Sequence, residues 1–254
     1  MRRSSMEGTS WYVPPYEVIM GRFSVKRLLH RDDPNEDLFW MYPPRTRNLH
    51  DPAAWDRYWD GFVSHGFGPG FHDFVAADPE RMSVMAEMGI KTVLCAGNGI
   101  SQEPRVLAEA GFDVTALDLS PLAMKLAETW NFGPADLARF LTPEQRKSTG
   151  SALFIVGDLF DLAICPEPFD MIIERRTLQN FPEDERGRAL DALIARLAKT
   201  GPFLSHCHDG RARPDREPFR PTRKLFEERG WTIWTLGSGQ KPAGRSAWIY
   251  LTSG

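Results

Sequence analysis

The 254-residue chain is 42% hydrophobic and 26% charged, enough to bury one full α/β core with an extension. A net charge of −3 and a pI near 6.1 give no electrostatic reason to expect nucleic acid, and the basic cluster at 211–223 is diluted by Asp215 and Glu217. Cys95, Cys165 and Cys207 are too scattered for a disulfide framework, no run reaches membrane-spanning length, and the opening MRRSSM lacks the apolar stretch of a signal peptide, so a soluble cytoplasmic protein is expected.

The first ten residues are expected to be disordered. Residues 11–70 are rich in Pro, Trp, Phe and Tyr without sustained strand alternation. After Asp51-Pro52, a good helix start, Trp55, Tyr58, Trp59 and Phe62 recur at helical spacing. Two readings stand for this helix: an amphipathic segment packed on the core, or a lid whose aromatic face closes over a cofactor or substrate. The chain divides on this reading into an aromatic-rich extension, 1–75, and a main domain, 76–254. A helix over 79–88 opens the main domain.

Residues 91–118 then read as a buried strand, a glycine turn, a helix and a second strand ending in an acid. Val93 and Leu94 begin an apolar run that Gly97-Asn98-Gly99 breaks. Leu107, Ala108 and Ala110 give a helical apolar face, and 114–117 leads to Asp118. This is the first half of a doubly wound nucleotide fold, whose ligand crevice lies over the strand ends. Glycines let backbone approach a ligand closely, and an acid at Asp118 can accept two ribose hydroxyls. A dinucleotide fingerprint would place a third glycine where Gln102 stands, and no phosphate loop is present. A nucleoside site without a strong phosphate cradle remains, and S-adenosylmethionine, which carries no phosphate, fits it better than NAD.

Ser120 and Pro121 start a helix running to Trp130. A polar link over 131–150 holds one short helix around 136–141. Strands follow over 153–156, stopping at Gly157-Asp158, and over 169–173, ending in Glu174-Arg175. An amphipathic helix spans 182–199, a fifth strand 203–207, and a further helix 221–230. Strands over 231–236 and 247–252 are separated by too little chain for a helical crossover, so an antiparallel terminal hairpin is expected. The fold expected is α/β: a Rossmann-like, seven-stranded, mostly parallel sheet with helices on both faces and an N-terminal extension.

Four stretches carry a resemblance to the class I S-adenosylmethionine-dependent methyltransferases, and within them to the thiopurine methyltransferase-like branch. They are the glycine segment 93–99, the second-strand segment 111–120, Gly157-Asp158-Leu159-Phe160 with Pro168-Phe169-Asp170, and Phe169-Asp170-Met171-Ile172-Ile173-Glu174-Arg175 with Pro182 after it. Trp55, Trp59 and Gly61 are similar to the tryptophan-rich segment that precedes the core in that branch. The likeness covers roughly 51–254. Cys95 stands where many such enzymes have an acid, and Arg176 where the branch has a small residue.

The resemblance implies S-adenosylmethionine as cofactor, with Asp118 and its neighbour Leu119 at the ribose. Ala96, Gly97, Asn98 and Gly99 would line its methionine portion. Asp158 would accept from the adenine amino group, with Leu159 offering an amide and an apolar edge. The sulfonium is a cation, so Trp55 and Trp59 are candidates to face it. Arg175 is implied beside the cofactor carboxylate or the acceptor, where a fixed guanidinium fork suits a carboxylate. An ion pair with Glu174 or Asp170 is its structural alternative. His206 is the candidate general base for a hydroxyl acceptor, which makes Arg175 and His206 the two candidate catalytic groups. His206-Cys207-His208-Asp209 matches no structural zinc spacing, so no metal is expected.

The function implied is methyl transfer to sulfur, oxygen or nitrogen of a small molecule. Neither nucleic acid nor membrane is expected as a partner, and the segment after the fourth strand lacks the Asn-Pro-Pro-Tyr pattern of base-amino methylation. Two other classes stay open: a non-catalytic ligand-sensing or interaction module on the same fold, and an NAD-dependent oxidoreductase.

Overall fold

The computed structural model describes residues 49–64, 76–130, 133–138, 140–147, 149–209, 220–235 and 246–253. The first ten residues, the aromatic stretch up to residue 48 and the basic residues at 211–219 lie outside these. The elements in chain order are α1 (Pro52–Ser64), α2 (Pro79–Glu87), β1 (Thr92–Ala96), α3 (Glu103–Glu109), β2 (Asp113–Asp118), α4 (Pro121–Thr129), a single turn α5 (Pro134–Leu137), β3 (Ser151–Val156), β4 (Met171–Arg175), α6 (Glu183–Ile194), β5 (Phe203–Asp209), α7 (Arg220–Glu228), β6 (Thr232–Thr235) and β7 (Ser246–Ser253). Among the described residues no helix is long and apolar enough to cross a membrane.

Side chains just outside the helices decide where two of them begin. The Asp78 carboxylate accepts from the amides of Glu80 and Arg81, with Pro79 in the first turn, where its missing N–H costs nothing. Ser120 does the same for α4, accepting from the Ala123 amide ahead of Pro121. Strands β1 and β4 are buried on both faces, which is why they read as unbroken apolar runs.

The sheet has the order β3-β2-β1-β4-β5-β7-β6. Strands β3 to β5 form a parallel body. Alternate residues divide its two faces. Val93, Cys95, Met171, Ile173 and Leu204 meet Met82 and Met85 of α2 and Val106 and Leu107 of α3. Leu94, Ala96, Ile172 and Phe203 meet Leu190 and Leu193 of α6 and Phe226 of α7. With helices on both faces, the body is a Rossmann-like α/β sheet. The chain runs outward from β1 to β3, then restarts beside β1 with β4, so strand order reverses between β1 and β4 and a crevice opens over their carboxyl ends.

The expected antiparallel hairpin is corrected. β6 and β7 are parallel, pairing Thr232 with Ser246 and Thr235 with Ile249, and β7 also runs parallel to β5. A connection of ten residues, 236–245, suggested a hairpin because a helix does not fit in it. Extended chain spans about 3.3 Å per residue, so the same ten residues can retrace a four-residue strand without a helix. Other boundaries also moved. α6 stops at Ile194 rather than near 199, because the chain beyond it bridges to the residues just ahead of β4: Phe169 donates its N–H to Arg196 O at 2.8 Å and accepts from Ala198 N at 2.8 Å. β4 starts at Met171 and runs through Arg175, and Arg176, at a left-handed φ of 59°, ends it.

Phe203, Phe226 and Trp231 form an edge-on aromatic triad that docks α7, with Phe226 5.0 Å from Phe203 and 5.7 Å from Trp231 between ring centroids. All three are buried. Phe226→Ala is therefore expected to lower unfolding free energy by about 3–5 kcal/mol, and Phe226→Leu by clearly less, in urea titrations followed by circular dichroism.

Candidate functional site

The carboxyl edge of the sheet is organised by the turn after β1. Gly97 and Gly99 have φ of 61° and 56°, a region that side-chain-bearing residues rarely adopt. A Cβ on Gly97 would lie 2.1 Å from the Thr177 hydroxyl, and one on Gly99 would lie 2.5 Å from the Trp59 ring. Leu117 O accepts from the amides of Gly97 (2.8 Å) and Asn98 (3.2 Å). The Asn98 side chain turns inward, donating to the carbonyls of Gly99 and Ser101. Ala96 is buried at the end of β1.

Asp118 closes this turn from β2. Its Oδ2 accepts from Gly99 N at 2.8 Å and its Oδ1 from Ser120 N at 2.9 Å. Burial pushes its pKa up to about 6 against the opposing effect of these amides, and Asp56 nearby pushes the same way as burial. Each carboxylate oxygen has lone-pair capacity left after one amide, so two further donors such as ribose hydroxyls can be accepted. These acceptors therefore suit the ribose hydroxyls of S-adenosylmethionine. Leu119 follows, half-buried, where the chain turns into α4.

α1 lies over this turn. Trp59 is buried among Ile100, Ala123 and Phe62, with Tyr58 edge-on to it at 4.8 Å. Trp55 is partly buried between two core clusters and donates its indole N–H to Leu49 O at 2.8 Å. Asp56, between the two tryptophans, accepts from the Ser120 hydroxyl and from Leu122 N, tying α1 to the start of α4. The aromatic face thus packs on the core and against the glycine turn, which is the first of the two readings of this helix.

Opposite the turn, β4 separates its last two side chains. Arg175 shares a face with Ile173 and, by register, with His206 of β5. His206 is wholly buried, and its carbonyl accepts from Arg176 N at 2.7 Å. Cys95 lies on the same face. Burial first, then the negative charge of Glu103, hold its thiol pKa well above the usual value, against the opposing charge of Arg175, so it stays a neutral core residue. Glu174 points to the other face, where it accepts from the Ser205 hydroxyl and from the amides of Thr177 and Leu178. Asp170, the other alternative ion partner of Arg175, accepts from Lys91 N and Thr92 N at 2.9 Å each.

The third part is the loop after β3. Asp158 is half-buried and accepts from Phe160 N at 2.9 Å, and Leu159 packs on the cluster beneath α6. Arg196, just past α6, donates to the carbonyls of Leu159 (2.7 Å), Asp161 (2.6 Å), Ile164 (3.3 Å) and Ala192 (2.9 Å). It gathers the whole loop onto the end of one helix. Among the described residues no group of three or more His, Cys, Asp or Glu could hold a metal ion, and the side chains of Cys207, His208 and Asp209 lie outside the description.

Sequence reasoning missed four residues here: Asp56, Glu103, Thr177 and Arg196. Glu103 is buried and accepts from the amides of Ala76 and Ala77, fastening the chain ahead of α2. A short polar residue among aromatics, or a lone arginine in a helix tail, gives no periodic signal. Gln102, noted only as the wrong residue for a dinucleotide site, is wholly buried and ties the start of α3 to Ala127 O at 2.9 Å.

The sequence profile of the thiopurine S-methyltransferase (TPMT) family matches residues 53–236. The chain belongs to that family. Enzymes of that family are class I S-adenosylmethionine-dependent methyltransferases. No curated protein matches the chain. Among solved structures, one from work on converting a disulfide bond into a thioacetal group during echinomycin biosynthesis is 29% identical over 55% of this chain and 56% of its own, with a TM-score of 0.36. The chain thus spans little more than half of that relative's length. A TehB-like methyltransferase from Corynebacterium glutamicum is 22% identical over 70% of this chain and 83% of its own (TM-score 0.44). Magnesium protoporphyrin IX methyltransferase from Synechocystis, solved with S-adenosylmethionine, is 16% identical over 81% of this chain and 85% of its own (TM-score 0.44). The family assignment rests on the profile match alone.

Two substitutions test the construction of the site. Gly99→Ala puts a methyl group into the Trp59 ring at a left-handed φ, so a loss of at least about 1–2 kcal/mol in chemical denaturation is expected. Arg196→Leu leaves loop carbonyls without their charged donor; a loss of about 2–4 kcal/mol is expected, with amide exchange speeding most across 158–164.

Proposed function

We propose that this chain transfers a methyl group from S-adenosylmethionine to a sulfur, oxygen or nitrogen atom of a small molecule. The observation that carries the reading is the buried Asp118 carboxylate closing a left-handed glycine turn at the strand-order reversal. S-adenosylmethionine supplies a methyl group already activated on a sulfonium. The residues of this chain then have only to bind, align and exclude water, and such positioning is worth up to roughly 7–11 kcal/mol in favourable cases.

Asp118 accepts the ribose hydroxyls while keeping its bonds to Gly99 and Ser120, and Leu119 lies beside it. Ala96, Gly97, Asn98 and Gly99 offer backbone to the methionine portion. Asp158 accepts from the adenine amino group, with Leu159 against the ring edge. Trp55 and Trp59 present aromatic surface to the sulfonium, a contact worth about 0.5–2 kcal/mol. Arg175 holds a carboxylate, of either the donor or the acceptor. His206, buried beside Arg175 in the register of the sheet, takes a proton from a hydroxyl or thiol acceptor only if that acceptor reaches below the strand ends. Enzymes of one fold differ most in their loops, where the acceptor is selected.

Calorimetric titration with S-adenosylmethionine, S-adenosylhomocysteine and NAD is the direct test. Micromolar binding of the first two, lost in Asp118→Ala and absent for NAD, is expected; binding of NAD alone, or of nothing, would sink the reading. Turnover with a panel of thiol, hydroxyl and amine acceptors then separates an enzyme from a module that binds without reacting.

The pH dependence has a definite sign. The folded pKa of Asp118, about 6, lies above the ordinary 3.8, so its ionisation opposes folding above pH 6 and the opposition vanishes below the unfolded value. Ribose hydroxyls donate to the ionised form, so the affinity for S-adenosylhomocysteine is expected to be flat above pH 7. It should weaken by up to about tenfold per unit below pH 6, and this slope should disappear in Asp118→Asn.

A further inference from the structure

β4 ends in a buried polar chain that none of these roles uses. Glu174 and Ser205 are wholly buried, on the α6 side of the sheet. The Ser205 hydroxyl donates to Glu174 Oε1, while Glu174 Oε2 accepts from Thr177 N at 2.9 Å and Leu178 N at 3.2 Å. The Thr177 hydroxyl donates onward to Ala96 O at 3.0 Å, with Gly97 O at 3.4 Å. Three neighbouring strand ends, β5, β4 and β1, are thus linked across the reversal point by one run of hydrogen bonds.

The run ends on the part of the backbone that has the most freedom. Two glycines within three residues give the turn many conformations of similar energy, and only one of them places Gly99 N on Asp118. Thr177 restricts that choice in two ways. Its hydroxyl fixes the carbonyl of Ala96, and its Cβ and Cγ2 occupy the space where a Gly97 side chain would go, 2.9 and 2.6 Å from the position of that absent Cβ. Glu174 in turn holds the backbone of Thr177, and a buried carboxylate needs such donors around it.

We propose that Thr177 is a positioning residue for the methyl donor, holding the glycine turn in its binding shape, and that Glu174 and Ser205 set the position of Thr177. The proposal rests on the reading of that turn as the donor site. It assigns a role to the segment after β4 that involves no contact with the reacting atoms.

The test compares Thr177→Val, which keeps the shape and loses the hydroxyl, with Thr177→Ser, which restores it. In the valine variant the Kd for S-adenosylhomocysteine is expected to rise about tenfold, the size of one lost hydrogen bond. The KM for S-adenosylmethionine should rise with it, while kcat at saturation stays within about twofold. Amide exchange in the ligand-free protein should quicken at 97–99 and remain unchanged in α6 and β5. The serine variant should return all three readouts towards wild type. Glu174→Gln keeps an acceptor for the two amides but not for the Ser205 hydroxyl, and should give the same local pattern at smaller amplitude. It reads the proposal independently if the valine variant does not fold. Unchanged affinity and exchange in these variants overturns the proposal, as does a uniform rise in exchange that serine does not rescue. Failure of the wild-type protein to bind S-adenosylhomocysteine is a separate result: it removes the donor-site reading, and the proposal with it.

Discussion

The reversal of strand order between β1 and β4 is the constraint on which the rest of this molecule depends. Two parallel neighbours that leave the sheet in opposite directions cannot fill the space over their own ends, so a cleft forms there without being carved. What fills it in this chain is backbone: a glycine turn from β1, a threonine-led turn from β4 and the start of α4 from β2. The two turns and the first turn of α4 leave backbone amides without partners of their own, so those amides need acceptors from outside. Asp118, Glu174 and the Ser120 hydroxyl supply them.

Two buried carboxylates within one sheet edge are an unusual expense for a core, since ionised oxygen leaves water reluctantly. Both accept from backbone amides. Such bonds fix main chain rather than long, flexible side chains. The helix above follows the same pattern. Asp56 fastens α1 by accepting from Ser120 and Leu122, while the tryptophans on either side contribute area.

How far the sequence discloses this depends on periodicity. The strands and helices of the parallel body repeat with periods of 2 and 3.6, and they were legible to within a few residues. The glycine turn and Asp118 were legible because both glycines and an acid at a strand end are rare together. The parallel direction of β7 was not, because ten residues permit either direction and no side chain records which one was taken. Thr177, Arg196 and Asp56 were illegible for a different reason. Each acts on main-chain atoms of residues 35 to 81 positions away, and main chain looks the same in every sequence. Glu174 was visible as an acid beside Arg175, but its partners lie on the opposite face.

Arg196 has one more consequence. Its guanidinium holds carbonyls from the loop after β3 and from the last turn of α6 together, so neither can open while the other stays closed. Loop and helix end therefore form a single cooperative unit, with one opening free energy between them. Any ligand that orders 158–164 is stabilised by the packing of Leu190 and Leu193 some distance away, and fraying of α6 is felt at the loop as lost occupancy.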